Sequence, residues 1–220
     1  MADIHVGGTT IPMDMAGDWP SSYTDSARHS SKAPSAYPAY DLLETGSTPD
    51  ELNGGDLLAP TLLNAAPSVS AFCRLQAMST RLEVALSRCP ADPLASVAED
   101  TIREVVGNLY AVLDDDHKTH PAHGVGGTTL SKVLHRKRPT FLCLNDQFVW
   151  SCYVENGPIP RVRSRSWSEY MVELALAMRK DLIQQSEEMK ALRKHAMGEG
   201  LSDLRILDIL AWTSRGRSRP

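Results

Sequence analysis

The sequence predicts a mainly α-helical fold, a single orthogonal helical bundle behind a loose N-terminal segment. Three observations carry that expectation. Apolar residues recur at helical spacing in several separate stretches, capping residues stand just before those stretches, and the first 46 residues show neither feature. A chain of 220 residues with 42% apolar residues is long enough to bury one sizeable core. The expected organisation is therefore a flexible or disordered tail over 1–46, a helical domain over 47–213, and a basic frayed end over 214–220.

Residues 1–46 mix Gly7, Gly8, Pro12, Pro20, Pro34 and Pro38 with many Ser and Thr, and no apolar period lasts two turns. Such composition buries too little surface to offset the entropy of ordering it. Tyr37, Tyr40, Leu42 and Leu43 could dock on the domain as an extended anchor, and Val6 and Ile11 could hold a short strand or hairpin. Thr48, Pro49 and Glu51 read as N-cap, N1 and N3 of a short first helix, stopped by Gly54, Gly55 and Pro60. Leu57, Leu58, Leu62 and Leu63 then point to the core.

Pro67 and Ser68 open a longer helix, with Phe72, Leu75, Met78, Leu82 and Leu86 at helical spacing. The next runs from about Leu94 to Leu113, and Asp114, Asp115, Asp116 and His117 are expected to end it. A helix from Thr128 to Arg136 follows the glycine turn, and 141–153 reads as helix or partly strand. Ser166 and Glu169 form a capping box for the longest element. Its face runs through Trp167, Met171, Leu174, Met178, Leu182, Met189 and Leu192, about eight turns. The last helix, near Leu201 to Trp212, presents Leu204, Leu207, Ile209, Leu210 and Trp212.

Charge is unevenly placed. Residues 1–110 carry 6 basic and 14 acidic side chains, whereas the second half carries 17 and 13. A polyanionic partner should therefore meet the second half. Cys73, Cys89, Cys143 and Cys152 follow no zinc or iron–sulfur spacing and read as buried free thiols of a reducing compartment. Neither a signal peptide nor an apolar run of membrane-spanning length is visible, so the expected location is cytoplasmic, without a membrane partner. His117, His120 and His123 are spaced three apart, but Pro121 and Gly124 break the helix that would align them. No metal site and no cofactor is expected.

The densest unusual stretch is 124–150, GVGGTTLSKVLHRKRPTFLCLNDQFVW. Gly124 and Gly126 can take backbone angles closed to other residues, and Gly126, Gly127 and Thr128 present amides at a helix N-terminus, where exposed N–H groups and the helix dipole favour an anion. Lys132, His135, Arg136, Lys137 and Arg138 follow within seven positions, and Arg161, Arg163 and Arg165 add a second basic patch. This pattern suits neutralisation of nucleic-acid phosphates, or alternatively a solvated face offsetting Asp114 to Asp116. Arg138 could also pair with Asp146. Trp150 and Tyr153 could wall a pocket beside that aspartate.

The GVG turn followed by T-x-x-x-V-L resembles the second half of a helix-hairpin-helix motif. That resemblance implies phosphate binding through the turn. In the base-excision glycosylases of that superfamily it also implies a catalytic aspartate, matched here by Asp146 in LNDQFVW. Thr128 stands where bifunctional members carry a lysine nucleophile, and Trp150 stands near the place of a following arginine. GTTLSKVLHRKRPTFLCLNDQFVW, with the earlier PDELNGGDLLAPTLLNAAP, is also similar to an uncharacterised protein family common in actinobacteria. The matching features there are Leu57 to Leu63, Gly126, Lys132, Leu134, Lys137, Arg138, Pro139 and Asp146.

Three function classes follow. The first is a non-enzymatic DNA-binding module contacting phosphate through the glycine turn and the basic patch. The second is a helical scaffold or protein-interaction domain with a protein partner. The third is a glycosidic-bond hydrolase using Asp146. The first requires Gly126 and Gly127 amides that point outward near Lys132 or Arg136. The third requires Asp146 to border a cavity wide enough for an extruded nucleotide.

Overall fold

The computed structural model describes residues 3–24, 38–119, 125–195 and 200–218. It shows a multi-helix orthogonal bundle with one small β-hairpin, so the mainly α fold is as the sequence predicts. The hairpin pairs β1 (Asp3–Val6) with β2 (Thr9–Pro12) and leads into α1 (Met13–Thr24). After α2 (Pro38–Leu42) and α3 (Gly54–Leu58), a 3-10 turn spans Ala59–Leu63. The bundle continues through α4 (Val69–Leu86), α5 (Glu99–Thr119), α6 (Gly127–His135) and α7 (Gln147–Trp150). One π turn follows over Ser151–Glu155. Three helices complete it: α8 (Trp167–Gln184), α9 (Ser186–His195) and α10 (Asp203–Ser214). The helices α5 and α6 make up the helix-hairpin-helix-like element; residues 120–124 between them, with His120, His123 and Gly124, lie outside the described residues.

The expected tail is corrected for most of its length. Ile4, Val6, Thr9 and Ile11 alternate onto one face of the hairpin, and all four are fully buried. Gly7 takes φ +59, the positive value that the first position of a two-residue hairpin loop favours. Composition hides this because the partners are remote in sequence. Gln185 accepts from the His5 amide at 2.5 Å and donates to the His5 carbonyl at 2.8 Å. Asp181 accepts from the Gly7 amide at 2.8 Å and from the Tyr153 hydroxyl at the same distance. Residue 37 and the stretch 25–36 lie outside the described residues. Tyr40 does anchor the chain, though within the short helix α2 rather than as an extended segment, and it is 1% exposed. At the other end, 214–218 is not frayed: Ser214 and Gly216 are buried, and the Ser218 hydroxyl accepts from the Thr10 amide at 3.1 Å.

Caps settle most helix starts. Ser68, Ser166 and Ser202 each accept from the amide three residues on, and Ser166 completes its capping box with Glu169. Each such cap contributes about 1 kcal/mol. The first helix starts later than the sequence suggests. Asn53 is its N-cap and Asp56 the N3 partner, while Thr48 and Glu51 close only a turn. Leu57 is buried but Leu58 is half exposed. Residues 141–145 form neither helix nor strand, yet all are buried, and the long apolar face breaks at Gln185, whose side chain is committed to the hairpin.

The acidic run does not end α5. The helix continues to Thr119 because each carboxylate is used across the bundle. Asp114 caps α8 by accepting from the Trp167 and Ser168 amides at 2.7 and 3.0 Å. Asp115 pairs with Arg81 at 2.7 Å, and Asp116 with Arg74. Three cysteines are buried free thiols as expected, but Cys73 is exposed. No helix among the described residues is long and apolar enough to cross a membrane.

Candidate functional site

The basic stretch 132–138 turns inward. Lys132 lies on the buried face of α6 and donates to the Leu63 carbonyl at 3.3 Å. Arg136 donates to the carbonyls of Tyr40 and Leu43. Lys137 is buried against Asp56, with Nζ 2.9 Å from Oδ2, and donates to the Ser47 hydroxyl at 2.5 Å. Arg138 pairs with Asp50, not with Asp146, and also donates to the Pro49 carbonyl at 2.8 Å. These cations fasten the segment 40–63 to α6, because that segment leaves carbonyls and a carboxylate that need donors.

The glycine turn is equally committed. Gly126 is the exposed N-cap of α6, without a side-chain cap, but Gly127 is buried. A Cβ on Gly127 would fall 2.2 Å from the Trp167 ring, so glycine is needed there for close approach of α8. Thr128 is half-buried, and its carbonyl accepts from the Ser131 hydroxyl at 3.0 Å. Gly126, Gly127, Thr128, Lys132, Arg136, Lys137 and Arg138 therefore do not combine into one outward phosphate cradle. Arg161 and Arg163 are exposed and lie elsewhere, beside Trp150 and Trp167.

What the structure does bring together is a cleft around Asp146. Its volume is about 60 Å³, and Lys132, Asp146, Arg205, Asp208 and Trp212 line it, with Tyr23 at its edge. A single bound water needs roughly 10–15 Å³ on this measure, so the cleft holds a few waters or one end of a small ligand. As it stands it does not admit an extruded nucleotide.

Each lining group has a separate structural origin. Asp146 is the N-cap of α7, and its Oδ1 accepts from the Phe148 and Val149 amides at 2.8 and 3.0 Å. Arg205, Asp208, Ile209 and Trp212 fall at i, i+3, i+4 and i+7 on one face of α10. Lys132 has three donors, of which the Leu63 carbonyl takes one.

The electrostatics are those of charges held out of water. Arg205 is 2% exposed and pairs with Asp208 and with Asp41, the latter at 2.8 Å. Its guanidinium lies 4.8 Å from the Tyr23 ring centroid and 5.3 Å from that of Tyr40, and it donates to the Tyr23 hydroxyl. Burial opposes its charge, but Asp208 and Asp41 outweigh that and raise its pKa. Burial pushes the Asp208 carboxyl up to about 6 against the opposing pull of Arg205, and the charge of Asp146 adds to the rise. Burial pulls the Lys132 ammonium down, partly offset by Asp208 and Asp146.

Of the cleft, the sequence reading identified Lys132 and Asp146 and missed Tyr23, Arg205 and Asp208. Arg205 and Asp208 do leave a signal. They are two opposite charges three residues apart, on one helix face, inside the apolar run LRILDILAW. Tyr23 leaves none, because its segment reads as tail. Tyr153, expected as a pocket wall, is fully buried and donates to Asp181. Among the described residues no group of three or more His, Cys, Asp or Glu side chains could hold a metal ion. The exposed large apolar side chains there include Leu42 of α2, Val69 and Val84 near opposite ends of α4, and Ile183 of α8.

A family model described as a family of unknown function (DUF6308) matches residues 16–215. The matched span includes most of α1, with Tyr23, and all of α10, so every cleft residue falls within it. No curated protein and no solved structure matches the chain.

Proposed function

Because the chain belongs to this family of unknown function, whose description assigns no chemistry, we propose from the cleft itself that the protein is an acid–base hydrolase of small, polar, near-neutral substrates. The observation that carries this reading is the meeting of Asp146, Asp208 and a buried, destabilised Lys132 ammonium at one small cavity. Titratable groups that burial moves off their ordinary proton affinities, gathered at one cavity, are a feature of acid–base sites. The two cations and two carboxylates nearly balance, which favours an uncharged substrate over a polyanion.

In this mechanism the Asp146 carboxylate, with Oδ1 tied to two amides, takes a proton from a cleft water through Oδ2. The water oxygen attacks an acetal-type carbon, and the bond to the leaving oxygen breaks. Lys132 supplies the proton to that oxygen, since burial makes its ammonium a stronger acid than an exposed lysine. Asp208 and Asp146 favour the charged Lys132 before transfer, while Arg205 and burial make its proton easier to give up. This retains Asp146 as the working carboxylate of a glycosidic-bond hydrolase but replaces the extruded nucleotide by a small substrate.

The test is turnover of a panel of nitrophenyl glycosides, followed by release of nitrophenol. Asn is as good an N-cap as Asp, so Asp146→Asn should leave α7 folded. It should lower turnover by at least about 100-fold, the usual weight of a general base. Failure of the intact protein to turn over any member of the panel would defeat the hydrolase reading.

A further inference from the structure

Between the end of α7 and the start of α8 the surface carries a second, chemically different concavity. It has a volume of about 310 Å³, near the lower end of small-ligand pockets, roughly 300–1,000 Å³. Trp150 and Trp167 form its walls, each half-buried, and Tyr170 closes the floor between them. The Trp150 and Tyr170 ring centroids are 5.1 Å apart, and those of Trp167 and Tyr170 are 6.2 Å apart in an edge arrangement. Tyr170 is fixed from below by its hydroxyl, which donates to Asn145 Oδ1 at 2.8 Å. Trp150 and Trp167 each pack one side against the core, Trp167 against Gly127, so the half-buried walls are held rigidly.

The rim is cationic. Arg161 and Arg163 are exposed and make no ion pair among the described residues. Arg165 pairs with Glu173 at 3.2 Å and is mostly buried, so it braces the loop. The nearby acids are already used: Asp114 and Glu169 cap the start of α8. Two exposed guanidinium groups therefore flank an aromatic groove whose lining contains no acidic side chain.

We propose that this groove binds single-stranded nucleic acid, with a base against Trp150 and Trp167 and the phosphates on Arg161 and Arg163. An aromatic-walled groove beside exposed guanidinium groups matches what an unpaired strand offers, accessible base π-faces and phosphates. A duplex keeps its bases stacked and cannot enter the slot. An acidic peptide would satisfy the arginines but leave the aromatic walls unused. The groove is independent of the Asp146 cleft, and neither proposal requires the other.

The experiment is fluorescence anisotropy with a labelled oligothymidylate of about 12 nucleotides, within the site sizes of such platforms. A duplex of equal length and a polyglutamate serve as competitors, and salt is varied from about 50 to about 200 mM. Binding should be strongest for the single strand and weaken with salt. Arg161→Ala with Arg163→Ala should reduce the slope of log affinity against log salt by about 1.4, two single-strand phosphate contacts. Trp150→Ala should weaken binding by at least about fivefold, and Asp146→Asn should not change it. If Trp150→Ala does not fold, the arginine pair decides, since both side chains are exposed: an unchanged salt slope overturns the proposal. So does absence of binding at the lowest salt, equal competition by duplex or polyglutamate, or a folded Trp150→Ala variant with unchanged affinity.

Discussion

The stretch 132–138 and the loop 161–165 carry the same kind of side chain, yet the structure uses them in opposite ways. Lys132 and Lys137 are buried, and Arg136 and Arg138 spend their donors on backbone carbonyls and on Asp50. Arg161 and Arg163 stand in solvent. The difference lies in the partner segments rather than in the cations. Residues 40–63 cross α6 as short helices and turns, leaving carbonyls and Asp56 that would be costly to bury without donors. The loop at 161–165 is crossed by nothing comparable. A high density of basic residues in sequence therefore says little about nucleic acid until the backbone groups that compete for those donors are known.

The comparison can be broken most forcefully at Lys137. Lys137→Met strands the Asp56 carboxylate, 1% exposed, without its cation. Removing one partner of a buried pair usually costs about 3–5 kcal/mol. Here about 3 kcal/mol is expected, because Asn53, Ser47 and Thr45 still donate to Asp56. Urea unfolding should show this as a large drop in midpoint.

A sharper, smaller effect concerns pH, through one group of the inward stretch and one of the cleft. His135 is buried, and its Nδ1–H donates to the Leu142 carbonyl at 2.6 Å. Burial pulls its pKa down from 6.5 to about 4. Its contribution to stability is therefore complete above about pH 6.5 and lost as pH falls through about 4. Asp208 behaves in the opposite sense. With its pKa raised from 3.8 to about 6, its contribution is complete below about pH 3.8 and lost as pH rises through about 6. Between about pH 4 and 6 the two oppose each other, so the intact protein should show little net slope. His135→Leu should gain stability on acidification across that window, and Asp208→Asn should lose it, each by up to ~1.4 kcal/mol per pH unit. Chemical denaturation at a series of pH values checks both signs.

The smallest effect should come from the outward patch. Arg161→Ala with Arg163→Ala is expected to change stability by no more than about 0.5 kcal/mol, as for surface sites without partners. Thermal unfolding of this variant beside Lys137→Met measures the contrast directly. A loss comparable to that of Lys137→Met would mean that the loop arginines are structural as well.

How much of the candidate site was legible follows the same division. Asp146 could be found from its position in LNDQFVW, and Lys132 from its place after the glycine turn. Their meeting with Arg205 and Asp208 could not, because α10 lies some sixty residues further along the chain and its charges sit inside an apolar pattern. Tyr23 was hidden more deeply, since a Pro- and Ser-rich segment gives no local reason to fold. The phosphate cradle expected at Gly126, Gly127 and Thr128 fails for a related reason. The turn is as glycine-rich as an anion site, but its glycine is required by the Trp167 ring.

By itself, the sequence determined the helical class, the capped starts at Ser68 and Ser166, and the apolar faces of α4, α5 and α8. These depend on interactions within three or four residues, where capping and side-chain period act directly on the backbone. Tertiary structure alone decided the hairpin, the break at Gln185, the continuation of α5 through Asp116, and the direction of each cation. Those outcomes depend on donors and acceptors brought together from distant parts of the chain. Gln185 satisfies the backbone of His5, and Lys137 satisfies Asp56. A local pattern carries no information about which unpaired group will arrive opposite it.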